Sequence, residues 1–305
     1  MNSEAWWQEE SHDTYESSEK RTEYGTPLPR ETVCRNMLVV FMRRDEKWTM
    51  GSKRILSTTA SSLKILEIII KLDGATLSEI SDEIEMARSA VHTHLNTLKE
   101  YGYVVKDGQF YRIGLKLTHF GEYAKSQREA HSLAEKWVSQ LAEQTELETD
   151  FAVEENGRIV SLYDSTKYST ESTSFTDNGR YFYCHNTAAG KAILSNYSDD
   201  RVNEILDKWG MPADTPRSIT SRERLFDELQ EVSKQGYATS IEESINSLNS
   251  VSCAVQSPRE QVCGAFVVSG PSYALDENRI GNIIRPLKEI SRKYENDLEQ
   301  YYNTG

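Results

Sequence analysis

Six side chains able to hydrogen-bond to a nucleic acid recur along one short segment: Arg88, Ser89, His92, Thr93, Asn96 and Lys99. Spacings of three and four residues put such positions side by side on a helix. Arginine can grip a guanine edge with two hydrogen bonds, asparagine can do the same to adenine, and Ser, Thr and Lys reach phosphates. Val91, Leu95 and Leu98 alternate with them as the buried stripe, with Ala87 in support. A little later, Lys106 and Gln109 are placed to reach phosphate or the minor groove. Any exposed helix face is polar, however, so this chemistry needs a scaffold that aims it at DNA.

Other reactive-looking patterns carry less. Cys184-His185 is the one adjacent cysteine–histidine pair, but neighbours in a strand face opposite sides. Gly190-Lys191 hints at a phosphate loop, yet Ala192 follows where Ser or Thr is needed, and no glycine stands five residues before Gly190. His92 and His94 are two apart on a helix, point to different sides and cannot share a metal. The four cysteines, Cys34, Cys184, Cys253 and Cys263, are widely separated and read as reduced thiols. No catalytic set, metal site or cofactor motif is expected, and the chain is not expected to be an enzyme.

The elements around the polar helix supply the scaffold. SSLKILEIIIKLDG reads as an amphipathic helix with Leu63, Leu66, Ile69 and Ile70 on its apolar face, stopping at Asp73-Gly74. Leu77, Ile80 and Ile84 mark a short second helix, and a tight turn at Glu85-Met86 leads into the third, which closes on Gly102. Val104, Val105, Phe110, Tyr111 and Ile113 then flank Asp107-Gly108, a dipeptide suited to a two-residue hairpin turn. Three helices and a hairpin in this order predict a winged helix-turn-helix, which sets one helix in the DNA major groove. A bundle of the same shape that binds only protein is the competing reading.

At 305 residues the chain has room for two domains of roughly 150 each. The net charge is −13, which would oppose DNA binding if it were evenly spread. It is not: Ser52 to Lys125 holds ten Lys/Arg against nine Asp/Glu, and most of the acidic excess lies beyond. The recognition module is therefore not repelled by phosphate. No apolar run approaches the roughly 20 residues of a membrane span, and no secretory pattern opens the chain. A cytoplasmic protein is expected.

Four regions follow. Residues 1–51 are polar and aperiodic and are expected to be a disordered or weakly ordered extension. Initiation at Met50 is an equal alternative, because Met50-Gly-Ser-Lys-Arg opens directly onto the winged helix. The DNA-binding module spans 52–114. Residues 115–143 read as a linker and dimerisation helix, with apolar faces around Phe120, Tyr123, Leu133 and Trp137. Residues 144–305 mix hairpins with helices and carry no alternating βαβ series, which predicts an α+β domain. Asn156-Gly157 marks one hairpin turn, and Thr220 with Glu223 has capping-box spacing before another helix.

The run GRYFYCHNTAAGKAIL resembles the signature of the isocitrate lyase regulator (IclR) family of transcription factors, matching at His185, Thr187, Ala188, Gly190, Lys191 and Ala192. The block GYATSIEESINSLNSVSCAV is similar at Gly236, Tyr237, Glu242, Glu243 and Leu248, and GAFVVSGP at Gly264–Pro271 matches as well. Together with the winged helix, the resemblance covers about Ser57 to Tyr302. It implies a GAF-like C-terminal domain that binds a small metabolite, and homodimers or tetramers on palindromic double-stranded operators. Carried over, the effector site would include Gly179, Arg180, Ser240, Leu248, Ser250 and Ser269. The chain departs from the pattern where Asp is common at Ser240, Cys occurs at Ser250, Ser is frequent at Val267 and Gly at Ser247. Arg180 suits a carboxylate, which suggests an organic or sugar acid; a plain surface salt bridge is a comparable role for it. The acidity fits an archaeal, high-salt member of the family as well as an ordinary acidic one. The expected function is a DNA-binding regulator controlled by a metabolite. A metabolic enzyme, or a protein-interaction module with a winged helix that does not bind DNA, is the alternative.

Overall fold

The computed structural model describes residues 55–165, 181–259 and 262–304. The extension expected over 1–51 lies outside these residues, as do Cys34, Gly179 and Arg180.

The N-terminal elements are α1 (Ser57–Lys71), β1 (Ala75–Thr76), α2 (Leu77–Ile84), α3 (Arg88–Glu100), β2 (Val104–Asp107) and β3 (Phe110–Ile113). The three strands pair antiparallel in the order β1-β3-β2, so a short strand before α2 joins the hairpin. Ile65, Ile68, Ile69, Ala75, Ile80, Val91, Leu95, Leu98, Val104 and Tyr111 form one buried cluster. The expected face of α1 is thereby corrected. Leu63 and Ile70 are 57% and 62% exposed, and Ile65 and Ile68 take their places inside. Three successive isoleucines fit two adjacent helical faces, and contact with α2, α3 and β3 selects between them. Ala87 is exposed as well and supports no core.

Local chemistry sets the boundaries. Thr76 and Glu79 form a full capping box on α2, which satisfies free N–H groups at both ends of the motif. Gly74 and Gly102 follow α1 and α3 with φ of 95° and 77°, a conformation glycine adopts without strain. In the wing, Asp107 pairs with Phe110, so the turn residues are Gly108 and Gln109, one position later than expected. Of the two, Gly108 alone has positive φ, as a II′ turn requires.

Helical structure continues as α4 (Lys116–Ser126), α5 (Glu129–Ser132) and α6 (Ala134–Thr145), three pieces rather than one long helix. Phe120 and Tyr123 on α4 stay exposed. Leu133 and Trp137 instead pack on the core of their own chain, and the Trp137 indole donates to Asp297 at 2.9 Å. Only part of the expected dimerisation face is therefore left open.

The C-terminal elements are β4 (Glu148–Glu155), β5 (Arg158–Ser165), β6 (Tyr181–Tyr183), α7 (Ala188–Leu194), α8 (Asp199–Trp209), α9 (Arg222–Gln235), β7 (Ala238–Ile241), β8 (Leu248–Val255), β9 (Gly264–Pro271) and α10 (Glu277–Thr304). Six strands run in the order β6-β5-β4-β9-β8-β7, every pair antiparallel. Asn156 and Gly157 turn the β4–β5 hairpin with φ of 58° and 86°, the double positive φ of a I′ turn. Because side chains alternate along a strand, the sheet presents two faces. Phe151, Phe266, Val251, Cys253 and Val268 lie in one cluster with α6 and α10, where Tyr294 is fully buried. Ala152, Ile159, Ala265 and Val267 lie in the other, with α7, α8 and α9. Ser221 caps α9 by accepting from Arg224 N, so the cap falls one residue beyond Thr220.

Candidate functional site

Two places in the fold have functional geometry. The first is the outer face of α3. Arg88, Ser89, His92, Thr93, Asn96 and Lys99 are all exposed, while Val91, Leu95 and Leu98 are buried. The core stripe thus turns the six polar side chains outward together. Asn96 Nδ2 lies 3.2 Å from His92 Nδ1, so one presents the other. The Thr93 hydroxyl donates to Ser89 O at 3.0 Å, which still leaves its lone pairs outward. His94 points elsewhere and holds Ser62 Oγ at 2.8 Å, tying α3 to α1. Lys106 lies over the Tyr111 ring at 5.4 Å, and Gln109 is exposed at the wing tip.

The second is a cavity of about 40 Å³ between the sheet and α7. Its polar walls are Asp150, Ser161, Thr187, Ser244, Ser250 and Ser269. Strand register brings several of them together: Ser240 stands opposite Ser250, Ser250 opposite Ser269, and Ser269 opposite Glu148. One step along, Asp150 lies between Val267 on β9 and Asp164 on β5. Leu248 and Ile245 add apolar wall. Space of this size admits a few water-sized groups, enough for a small polar fragment.

Asp150 is the unusual member. It is 2% exposed, and its Oδ2 has no hydrogen-bond partner. Burial, and then the neighbouring Glu148 and Asp164 charges, raise its carboxyl well above the usual carboxylate range. Ser161, beside the carboxyl, pulls the other way by more than Asp164 pushes, although the Ser161 hydroxyl makes no well-formed hydrogen bond. Cys184 and His185 behave differently. Burial pushes the Cys184 thiol up and lowers His185 to about 4. The His185 ring is held on Pro212 O at 3.0 Å. A protonated thiol beside a committed imidazole is no nucleophile–base pair.

Residues 60–108 match the model of the IclR helix-turn-helix domain, and residues 123–296 match that of the bacterial transcriptional regulator IclR C-terminal domain. The chain belongs to the IclR family. It is a DNA-binding transcriptional regulator with a C-terminal effector-binding domain. It is 27% identical over 228 residues to a probable HTH-type transcriptional regulator, ArcR, of Halobacterium salinarum, covering 74% of this chain and 87% of that one. The IclR fold recurs in the crystal structure of a regulator from Alicyclobacillus acidocaldarius, with TM-score 0.66, 21% identity, and 79% and 98% of the two chains covered. It recurs also in an IclR homologue from Microbacterium hydrocarbonoxydans complexed with 4-hydroxybenzoate, with TM-score 0.66, 18% identity, and 79% and 98% covered.

The IclR signature run has a mechanical explanation here. Thr187 caps α7 by accepting from Gly190 N at 3.1 Å. A Cβ on Gly190 would meet Cys184 O at 2.2 Å and Cys184 Cα at 2.5 Å, so α7 can pack against this backbone only with glycine there. Lys191, fully buried, reaches Glu243 at 2.6 Å and Glu228 at 2.7 Å. The glycine and lysine that hint at a phosphate loop thus place α7 over the cavity and fasten it.

Among the residues carried over from the IclR family, Leu248, Ser250 and Ser269 line the cavity. Ser240 does not, because its hydroxyl donates to Asn186 O at 3.0 Å. Gly179 and Arg180 lie outside the described residues. Sequence reasoning missed Asp150 and Ser161. The available signal was an aspartate inside TDFAVEE, next to residues that read as buried strand.

Proposed function

We propose that this regulator reads a palindromic operator with α3 from each of two copies, and that a small metabolite in the sheet–α7 cavity controls the affinity. The observation that carries the first half is the outward face of α3, where six hydrogen-bonding side chains share the side opposite the core stripe. Arg88, His92 and Asn96 take base edges; Ser89, Thr93 and Lys99 take phosphates or flanking edges; Lys106 and Gln109 take the backbone at the wing. A single winged helix makes few base contacts, so two copies about one helical turn apart supply the affinity. Dimers, or tetramers built from them, are the working assemblies. The cytoplasm is their place.

The cavity supports the second half. It sets several polar side chains in a largely apolar lining and lies in the domain that matches the IclR C-terminal model, and a solved IclR homologue is complexed with 4-hydroxybenzoate. Ligand binding shifts the population between arrangements of the two recognition helices, and only some of these fit the groove spacing. A small organic or sugar acid follows from Arg180 alone; the described cavity wall adds no cation to favour it. The relatives are regulators, and we read this chain as a regulator without a catalytic role. Fluorescence anisotropy against DNA upstream of its own gene, at a stated salt concentration, tests the reading. Saturable, sequence-dependent binding supports it; equal affinity for scrambled DNA contradicts it.

A further inference from the structure

The linker between the DNA-binding module and the effector domain is fastened late. Among the described side chains from Leu115 to Arg128 none is buried, so α4 contributes nothing to either core. It touches the sheet at its end, where Lys125 Nζ lies 5.2 Å from the centre of the Tyr163 ring. The first buried side chain described beyond it is His131 on α5, 5% exposed. The His131 ring sits edge-on to Phe151, with centroids 6.0 Å apart, and is hydrogen-bonded to the Cys263 backbone. Phe151 is closed in on its other sides. It meets the Phe266 ring at 5.0 Å and the Tyr294 ring at 5.3 Å, and a Cβ at Gly264 would collide with its Cζ. In so dense a setting a displacement of Phe151 is passed to a neighbour, and His131 is the neighbour that belongs to the linker.

The residues on either side of Phe151 face the other way. Side chains alternate along a strand, so Asp150 and Ala152 line the cavity while Phe151 lies against His131. A β-bulge falls at this step. Phe151 pairs with Tyr163 and Ala152 with Ser161, which leaves Leu162 as the extra residue on β5. A bulge interrupts the ladder locally and re-aims side chains, and Ser161 beside it is itself a cavity wall. We propose that His131 is the positioning residue through which the cavity acts on DNA binding: a change in the wall formed by β4 displaces Phe151, and Phe151 displaces His131 and with it the anchored end of the linker. The proposal rests on the cavity being the effector site. His131 neither lines the cavity nor stands on α3, so it acts through position alone. The ring carries the displacement. The hydrogen bond to Cys263 does not, because Cys263 precedes β9 and is no part of β4.

A double-mutant cycle on the full chain tests this, with anisotropy on the duplex that the protein selects from random DNA, at one salt concentration. Ala152→Val adds bulk on the cavity face of β4, directly behind Phe151, and takes the place of an occupant. It should change operator affinity at least about fivefold in the wild-type background. In the His131→Ala background the same substitution should change affinity by less than about twofold. His131→Gln, which keeps a donor for Cys263 but no ring, should behave as His131→Ala does. His131→Phe, which keeps a ring and loses the hydrogen bond, should restore the wild-type ratio. A merely structural His131 would lower the melting temperature of each variant, read by circular dichroism, and leave the Ala152→Val ratio untouched. An Ala152→Val effect that survives in His131→Ala or His131→Gln, or a ratio that His131→Phe does not restore, would overturn the proposal. Ser250→Phe, which fills the cavity from β8, separates two levels of failure. If it changes operator affinity and the Ala152→Val ratio does not depend on His131, the cavity controls DNA binding by another route. If neither Ser250→Phe nor Ala152→Val changes operator affinity, the cavity is not the effector site and both readings fall.

Discussion

Lys191 Nζ lies 2.6 Å from Glu243 Oε1, with the lysine side chain fully buried and the glutamate 10% exposed. Burial raises the Glu243 carboxyl above its ordinary range while the Lys191 ammonium pulls it back. A second carboxylate, Glu228, meets the same ammonium at 2.7 Å. Thr215 and Ser218 donate to the Glu243 carbonyl at 3.2 and 2.6 Å, so the backbone beside the clamp is also fixed. Ser244 and Ile245, the next two residues, line the cavity. The clamp thus joins α7, one wall, to the loop that forms another.

Removing one partner of a buried pair leaves the other uncompensated, at a cost of about 3–5 kcal/mol. Lys191→Met should lower the unfolding free energy of the C-terminal domain by an amount in that range. Glu243→Gln should cost less, because Glu228 still holds the lysine. Urea unfolding followed by circular dichroism measures both. A loss under about 1 kcal/mol for Lys191→Met would mean that the clamp contributes little.

Gly190→Ala puts a methyl group where Cys184 backbone already stands. Backbone cannot yield as a flexible side chain does, so the strain should be about 1–3 kcal/mol. The melting temperature reads it. An unchanged value would show that α7 shifts freely.

Acid should destabilise the domain through His185, whose folded-state value is about 4 against an ordinary 6.5. The folded protein keeps the imidazole neutral while the unfolded chain protonates it. Its contribution is whole above about pH 6.5 and is lost as pH falls toward 4. Asp150 has the opposite sign. Its folded carboxyl is raised, so stability declines as pH rises above the ordinary carboxylate value. Asp150→Asn should therefore be more stable than wild type at pH 7.5, with the gap closing toward pH 4. His185→Gln should flatten the loss between pH 6.5 and 4. Equilibrium unfolding across that range checks both slopes, and parallel curves for wild type and either variant would refute the corresponding assignment.

Much of this architecture was legible in the residues. The glycines after α1 and α3, the Asn156-Gly157 turn and the stripe Val91-Leu95-Leu98 each have a local cause, and each appears in the structure. What was not legible depended on partners distant in sequence. Ile68, Ile69 and Ile70 fit two faces until α2, α3 and β3 choose one. Thr220 and Ser221 are both plausible caps until the first turn of α9 is set. Asp150 was not singled out, because its place opposite Val267 and Asp164 follows from pairing across three strands. Ser240 has the right residue type beside the cavity, but its hydroxyl is already committed to Asn186, which no sequence pattern announces.

Within the DNA-binding module, base and phosphate contacts should separate by their salt and sequence dependence. Lys106→Ala should weaken binding to all sequences alike and lower the slope of log affinity against log salt by about 1. Anisotropy titrations at several salt concentrations measure it. A loss confined to one base pair of the site would contradict a phosphate role.

Recognition of a specific two-fold operator by α3 of this IclR-family regulator is open to direct selection. Selection of bound sequences from random duplex DNA by the full chain, followed by anisotropy on the winner at 150 mM salt, tests it most directly. The predicted result is one enriched inverted repeat with half-sites about one helical turn apart, for which Arg88→Ala loses roughly 1–3 kcal/mol of affinity while its binding to unrelated DNA changes little. Enrichment of no sequence, or an operator affinity that Arg88→Ala leaves unchanged, would contradict it.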